Sequence, residues 1–113
     1  MKIEHYSFGR ITIQGKTYPF DVIIFPEAVD PSWLRKEGHS LHMDDLKSVV
    51  HARPEVIVIG TGYYGRMQIP VDVLMNLRMQ GMEVRIAKTP EAVDLFNEIS
   101  SRTKTVACLH LTC

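Results

Sequence analysis

Two stretches of this chain hold residue types that can do chemistry. The first is Gly60-Thr61-Gly62-Tyr63-Tyr64-Gly65, preceded by the apolar run Val56-Ile57-Val58-Ile59 and followed by Arg66. Glycines after a strand let backbone amides face a bound group. With Arg66 and the start of the next helix, they would favour a small anion. Tyr63 and Tyr64 would flank that anion or serve a surface where another chain docks. The second stretch is His110-Leu111-Thr112-Cys113. In an extended strand Cys108, His110 and Thr112 share a face, and an imidazole beside a thiol is the general arrangement for a cysteine nucleophile. If the last strand runs parallel to residues 56–59, His110 and Cys113 emerge beside the glycine loop.

The glycine run has the GxGxxG spacing of dinucleotide-binding turns, but its surroundings argue against that use. In such a turn the helix opens within the glycines, which would place Pro70 inside the helix, where it cannot donate its hydrogen bond. No carboxylate stands at the end of the following strand to hold a ribose, since Glu83 lies at its start. No nicotinamide, flavin or other cofactor is therefore expected. His39 and His42 lie three residues apart. Without a third ligand motif, that spacing predicts no metal site. His39 remains a candidate to assist His110.

Several elements must position these residues. Residues 6–25 are rich in β-branched and aromatic types around Gln14-Gly15, predicting a β-hairpin with Pro19 keeping its part of the second strand at an edge. Residues 26–38, with two prolines and the single tryptophan, Trp33, read as irregular or as a single short turn of helix. A helix begins at Asp44-Asp45, buries Leu46, Val49 and Val50, and ends at Arg53-Pro54. The unbroken apolar run at 56–59 reads as a strand buried on both faces. A helix opened by Pro70 runs to about Gln80, with Gly81 after its end. Val84-Arg85-Ile86-Ala87 is the next strand. Thr89 reads as the N-cap of a third helix, with Pro90 at its first position and a stripe of Ala92, Leu95, Phe96 and Ile99. Val106-Ala107-Cys108-Leu109 is the last strand. Alternating strands and helices with short connections imply parallel neighbours, and the hairpin makes the sheet mixed.

At 113 residues, with 45% hydrophobic and 23% charged residues, the chain is sized for a single domain, residues 1–113. Thirteen basic and thirteen acidic residues leave no net charge, which removes the bulk electrostatic case for binding nucleic acid or an anionic membrane. No apolar run reaches the roughly 20 residues of a spanning helix. Across the extended segment between them, the Cα atoms of Cys108 and Cys113 are too far apart to bridge, so a reducing, cytoplasmic setting is expected.

Taken together, Phe8-Gly9 with the hairpin, Gly60-Thr61-Gly62-x-x-Gly65, Thr89, Asn97-Glu98 and His110-x-Thr112-Cys113 resemble a family of small single-domain proteins of unknown function. That family includes archaeal and bacterial stand-alone domains, an adipogenesis-associated animal protein and a mitochondrial complex I assembly factor. Gly38-His39-Ser40-Leu41-His42 looks like a variant of the archaeal-type segment. The resemblance implies a three-layer α/β fold: a central mixed, mostly parallel sheet, helices on one side, and a hairpin layer with a helix on the other. Its animal members suggest protein interaction; no activity comes with it.

The leading expectation is an interaction or ligand-binding module. It would take a small anion or a protein partner at Gly60, Thr61, Gly62, Tyr63, Tyr64, Gly65 and Arg66, or associate with a second copy of itself. The alternative is a small enzyme using His110 with Cys113 or His39 near that loop. The residues leave the choice between module and enzyme open.

Overall fold

The computed structural model describes all 113 residues. Ile3–Ser7 (β1), Arg10–Ile13 (β2) and Lys16–Tyr18 (β3) form an antiparallel meander. Gln14 and Gly15 both have positive φ, 51° and 80°, the backbone of the tight turn whose twist matches a hairpin. The expected two-stranded hairpin over 6–25 is corrected on two counts. An extra strand precedes it through the Phe8-Gly9 turn, and its second arm stops at Tyr18. Pro19, lacking an N–H, cannot extend the ladder, and the chain crosses to a second sheet as Val22–Ile24 (β4).

That second sheet also contains Val29–Asp30 (β5), Val56–Thr61 (β6), Glu83–Ala87 (β7) and Thr105–His110 (β8), in the order β5-β4-β8-β6-β7. β6 is parallel to both neighbours, whereas β4 is antiparallel to β8 and β5. The sheet is mixed, as expected. The short β5 lies in the stretch read as irregular or as a short turn of helix. Every residue of β6 and β8 is buried, because both faces of the sheet are covered.

Alternation along β6 sorts the two cores. Ile57 and Ile59 face a turn of 3-10 helix, Met43–Leu46, with Lys47–Ala52 (α1) and Val71–Met79 (α2), whose Val49 and Leu77 are fully buried. Val58 faces the opposite way, toward Phe96 of Thr89–Ile99 (α3) and toward Ile3, Ile11 and Ile13 of the meander. The result is three layers: two helices, the mixed sheet, and the meander with α3. This is the architecture that the resemblance implied.

Helix ends follow their residues, with one difference. Arg53 closes α1 in the left-handed region at φ 49°, and Gly81 follows α2 at φ 91°. Pro70 flanks α2 as its N-cap. Thr89, however, is not the cap of α3. Lys88 is the cap, and Pro90 falls at the second helical position. The Thr89 hydroxyl turns into the core instead, donating to the His110 carbonyl at 2.6 Å and accepting from the Gly62 N–H at 2.9 Å. A buried backbone N–H must find an acceptor, and at the end of β6 that acceptor is this hydroxyl. Gly60 makes room for it: a Cβ there would lie 2.8 Å from Thr89 Oγ1.

Thr89→Val keeps the shape and removes both hydrogen bonds, leaving the Gly62 amide buried without an acceptor. Chemical denaturation should show a loss of about 2 kcal/mol, and an unchanged midpoint would contradict this role.

Candidate functional site

β6 and β8 end side by side, with Thr61 opposite His110. The segments that follow them are laced together. Tyr63 N–H donates to the Thr112 carbonyl at 2.6 Å, and Arg66 N–H donates to the Cys113 carbonyl oxygen at 2.9 Å. Gly62 N–H is held by Thr89, and Gly65 N–H donates to the Gly62 carbonyl at 3.2 Å. Amides that the sequence offered to an anion are thus engaged inside the chain. Gly62, at φ 108°, permits the approach, since a Cβ would lie 2.3 Å from the Cys113 carbonyl carbon and 2.9 Å from His110 Cδ2. The Leu111 carbonyl accepts the Gly9 N–H and the Tyr6 hydroxyl, each at 2.8 Å. Burial pushes the Tyr6 hydroxyl up to about 12, helped by Tyr63 and Asp21, so it stays protonated and donating. The Phe8-Gly9 turn, the glycine loop and residues 111–113 form one rim.

Behind this rim sits a charged cluster. Asp21, at the head of β4, accepts the Leu111 N–H at 2.7 Å on Oδ1, while Oδ2 lies 2.8 Å from His110 Nδ1 and 2.7 Å from Arg35 Nη1. Burial alone would raise the Asp21 pKa. Hydrogen bonds from His110, the Leu111 amide and Arg35 outweigh it and hold the carboxyl below its usual range. A carboxylate can only accept, so an Nδ1–H donated to Asp21 is the arrangement that satisfies this contact. Arg35 also donates to the Gly38 carbonyl at 3.0 Å and lies 4.7 Å from the Trp33 ring centroid. His110 Nε2 is enclosed and has no hydrogen-bond partner.

The rim's outer surface is aromatic. Phe8 lies 6.1 Å from both Tyr63 and Tyr64, which are 5.0 Å apart. Despite this packing they remain 50%, 43% and 62% exposed. Arg66 is exposed, and the Lys88 stem lies against Gly65, so the loop that carries the two tyrosines also carries one cation and touches a second.

Of the residues singled out in the sequence, His110, Cys113 and residues 60–66 come together. Exposed His39 reaches the same end, with its ring 6.0 Å from that of His110 at 73°. His42 turns away to pair with Glu37 at 2.5 Å. No group of three or more His, Cys, Asp or Glu side chains is arranged to hold a metal. Burial pushes the Cys108 thiol up to about 12, which makes it inert, whereas Cys113 is partly exposed. Sequence reasoning missed Asp21 and Arg35. A carboxylate directly before the wholly apolar Val22-Ile23-Ile24 was the available signal, because a charge entering a core demands partners.

Three-layer α/β domains of this design recur among solved structures. A conserved hypothetical protein from Pyrococcus horikoshii, PH1505, superimposes with a TM-score of 0.85 at 27% identity, over the whole of both chains. A structure named MT938 gives 0.80 at 23% identity over 99% of this chain and 98% of that one. An outer membrane protein from Bartonella henselae gives 0.81 at 19% over 98% and 94%. Likeness at those two identities shows the fold alone. Residues 3–111 match the family described as "Protein of unknown function (DUF498/DUF598)", and the chain belongs to it. The resemblance drawn from the motifs, to a small family of unknown function, therefore holds. No helix is long and apolar enough to cross a membrane.

Because Asp21 titrates below the roughly 3.9 of an unfolded aspartate, its stabilisation is complete above that pH and is lost as pH falls through the folded-state pKa. Asp21→Ala should cost about 3 kcal/mol at neutral pH, with the gap from wild type closing in strong acid; urea titrations across pH measure both. Alkylation of the native protein followed by mass spectrometry should add one adduct, at Cys113. Labelling of Cys108 before unfolding would contradict its enclosure.

Proposed function

We propose that this chain is an interaction module, acting as one folding unit, that grips a protein partner on the rim of its glycine loop. The observation that carries this reading is the Phe8, Tyr63 and Tyr64 cluster: three rings packed on one another and still open to solvent. Aromatic side chains dominate the energetic centres of interfaces, and monomeric surfaces seldom leave them bare in a group. Arg66 on the loop and Lys88 against it suit a partner segment that offers apolar side chains flanked by carboxylates. A free small anion is less well served, because the amides of Gly62, Tyr63, Gly65 and Arg66 already have acceptors within the chain. The Asp21–His110 pair orients an imidazole as catalytic sites do, yet its free nitrogen is sealed from solvent. A general base must reach its substrate, so this pair is better read as a brace. Two unpaired cysteines support the cytoplasm as the compartment.

A displayed peptide library selected on the protein, with the selected peptides mapped by amide chemical shifts, tests this reading. Peptides with apolar residues beside acids should shift Phe8, Tyr63, Tyr64 and Arg66. Tyr64→Ala should weaken them by about 2 kcal/mol, roughly thirtyfold, without changing the melting temperature. Inorganic phosphate, titrated separately, should give no Arg66-dependent stabilisation. Peptides that map elsewhere, or phosphate stabilisation lost in Arg66→Ala, would overturn the proposal.

A further inference from the structure

β7 is an outer strand of the five-stranded sheet, bonded only to β6. At the opposite edge β5 has only two residues, whereas β7 has five. The Glu83 N–H donates to the Glu55 carbonyl at 3.0 Å. In a parallel ladder that contact sets the alternation: residues 83, 85 and 87 bond to β6, while Val84 and Ile86 turn their N–H and C=O groups to the open side. Such a row is a template for another strand. Its side chains carry both charge signs in alternation: Glu83 and Arg85 point to the same face and remain exposed, 3.3 Å apart in a salt bridge. Ile86, on the other face, is 44% exposed.

We propose that this edge pairs antiparallel with the same strand of a second copy, about a two-fold axis at Val84, joining two five-stranded sheets into one of ten. This register is selected by the residues themselves. With Val84 opposite its counterpart, the outward N–H and C=O groups of the two valines bond reciprocally, and each Ile86 N–H meets the Met82 carbonyl of the other copy. Glu83 then faces Arg85 of the second copy twice over, in the close, non-hydrogen-bonded positions where cross-strand charge pairs act. Ile86 then lies across from Met82, whose side chain is buried in its own core. Moving the axis by one residue sets Arg85 against Arg85, and moving it by two leaves both charges opposite uncharged partners. Charges on an edge normally repel further strands, but these are complementary to themselves. A five-residue ladder buries less than the roughly 1,200 Å² of a standard interface, so association depends on concentration. This contact shares no residue with the aromatic rim, and the two readings stand or fall separately.

Sedimentation velocity over a concentration series from micromolar to millimolar tests it. The wild type should pass from monomer to dimer, less readily in high salt. Arg85→Glu, which sets carboxylates against Glu83 of the second copy, should weaken association at least tenfold while leaving far-UV circular dichroism unchanged. The double swap Glu83→Arg with Arg85→Glu should restore it. A wild type that stays monomeric throughout would overturn the proposal, as would a dimer indifferent to Arg85→Glu. A dimer lost in Tyr64→Ala but kept in Arg85→Glu would also overturn it, by moving the contact to the rim.

Discussion

Asp21 is the constraint on which the site end of this molecule depends. Its carboxylate enters a largely apolar environment at the head of β4, and a charge there is tolerated only when its oxygens are filled. The donors come from the end of β8 (the Leu111 amide and His110) and from Arg35 in the loop that follows β5. Meeting that requirement fixes the direction in which residues 111–113 leave the sheet. Once Leu111 is held, its carbonyl stands where the Phe8-Gly9 turn and Tyr6 can donate to it. The meander and the mixed sheet are thereby coupled through one peptide unit.

The glycine loop follows from the same economy of hydrogen bonds. β6 and β8 end together, so the chain leaving each must satisfy amides that no further ladder provides. Thr89, Thr112 and Cys113 supply the oxygens, and Gly60 and Gly62 supply the space. What remains for the outside is aromatic. Tyr63 faces outward with its amide turned inward to Thr112, Tyr64 packs beside it, and Phe8 joins them because its turn is pinned to Leu111. Architecture and recognition thus divide the loop between main chain and side chains.

The sheet and its helices were legible because their signals are local: an apolar run at 56–59, Pro70 before a helix, Gly81 after it. The Gln14-Gly15 turn was legible for the same reason. The meander's extra strand was not, since His5 and Ser7 give β1 a polar outer face with little alternation to detect. Thr89 misled because its type and its neighbour Pro90 fit a helix start, while its actual partners, Gly62 and His110, are distant in sequence. Asp21, likewise, acquires its role from residues 14, 89 and 90 positions further on. The candidate site was readable as a gathering of the glycine loop with His110 and Cys113, since parallel strands bring their ends together. Which atoms face outward was not readable, because that depends on hydrogen bonds that close only in the folded chain.

β8 lies between β4 and β6, yet it is the last strand in the chain. While the protein is being synthesised, β4–β5 and β6–β7 can form as separate pieces, but nothing joins them until residues 105–110 have left the ribosome. The edges that will face β8 are apolar and unpaired throughout that interval. Such edges are where nascent chains mispair or are held by chaperones. The cooperative step of folding thus waits for residues 105–110, and a fragment ending at α3 would be left with half-sheets and no centre.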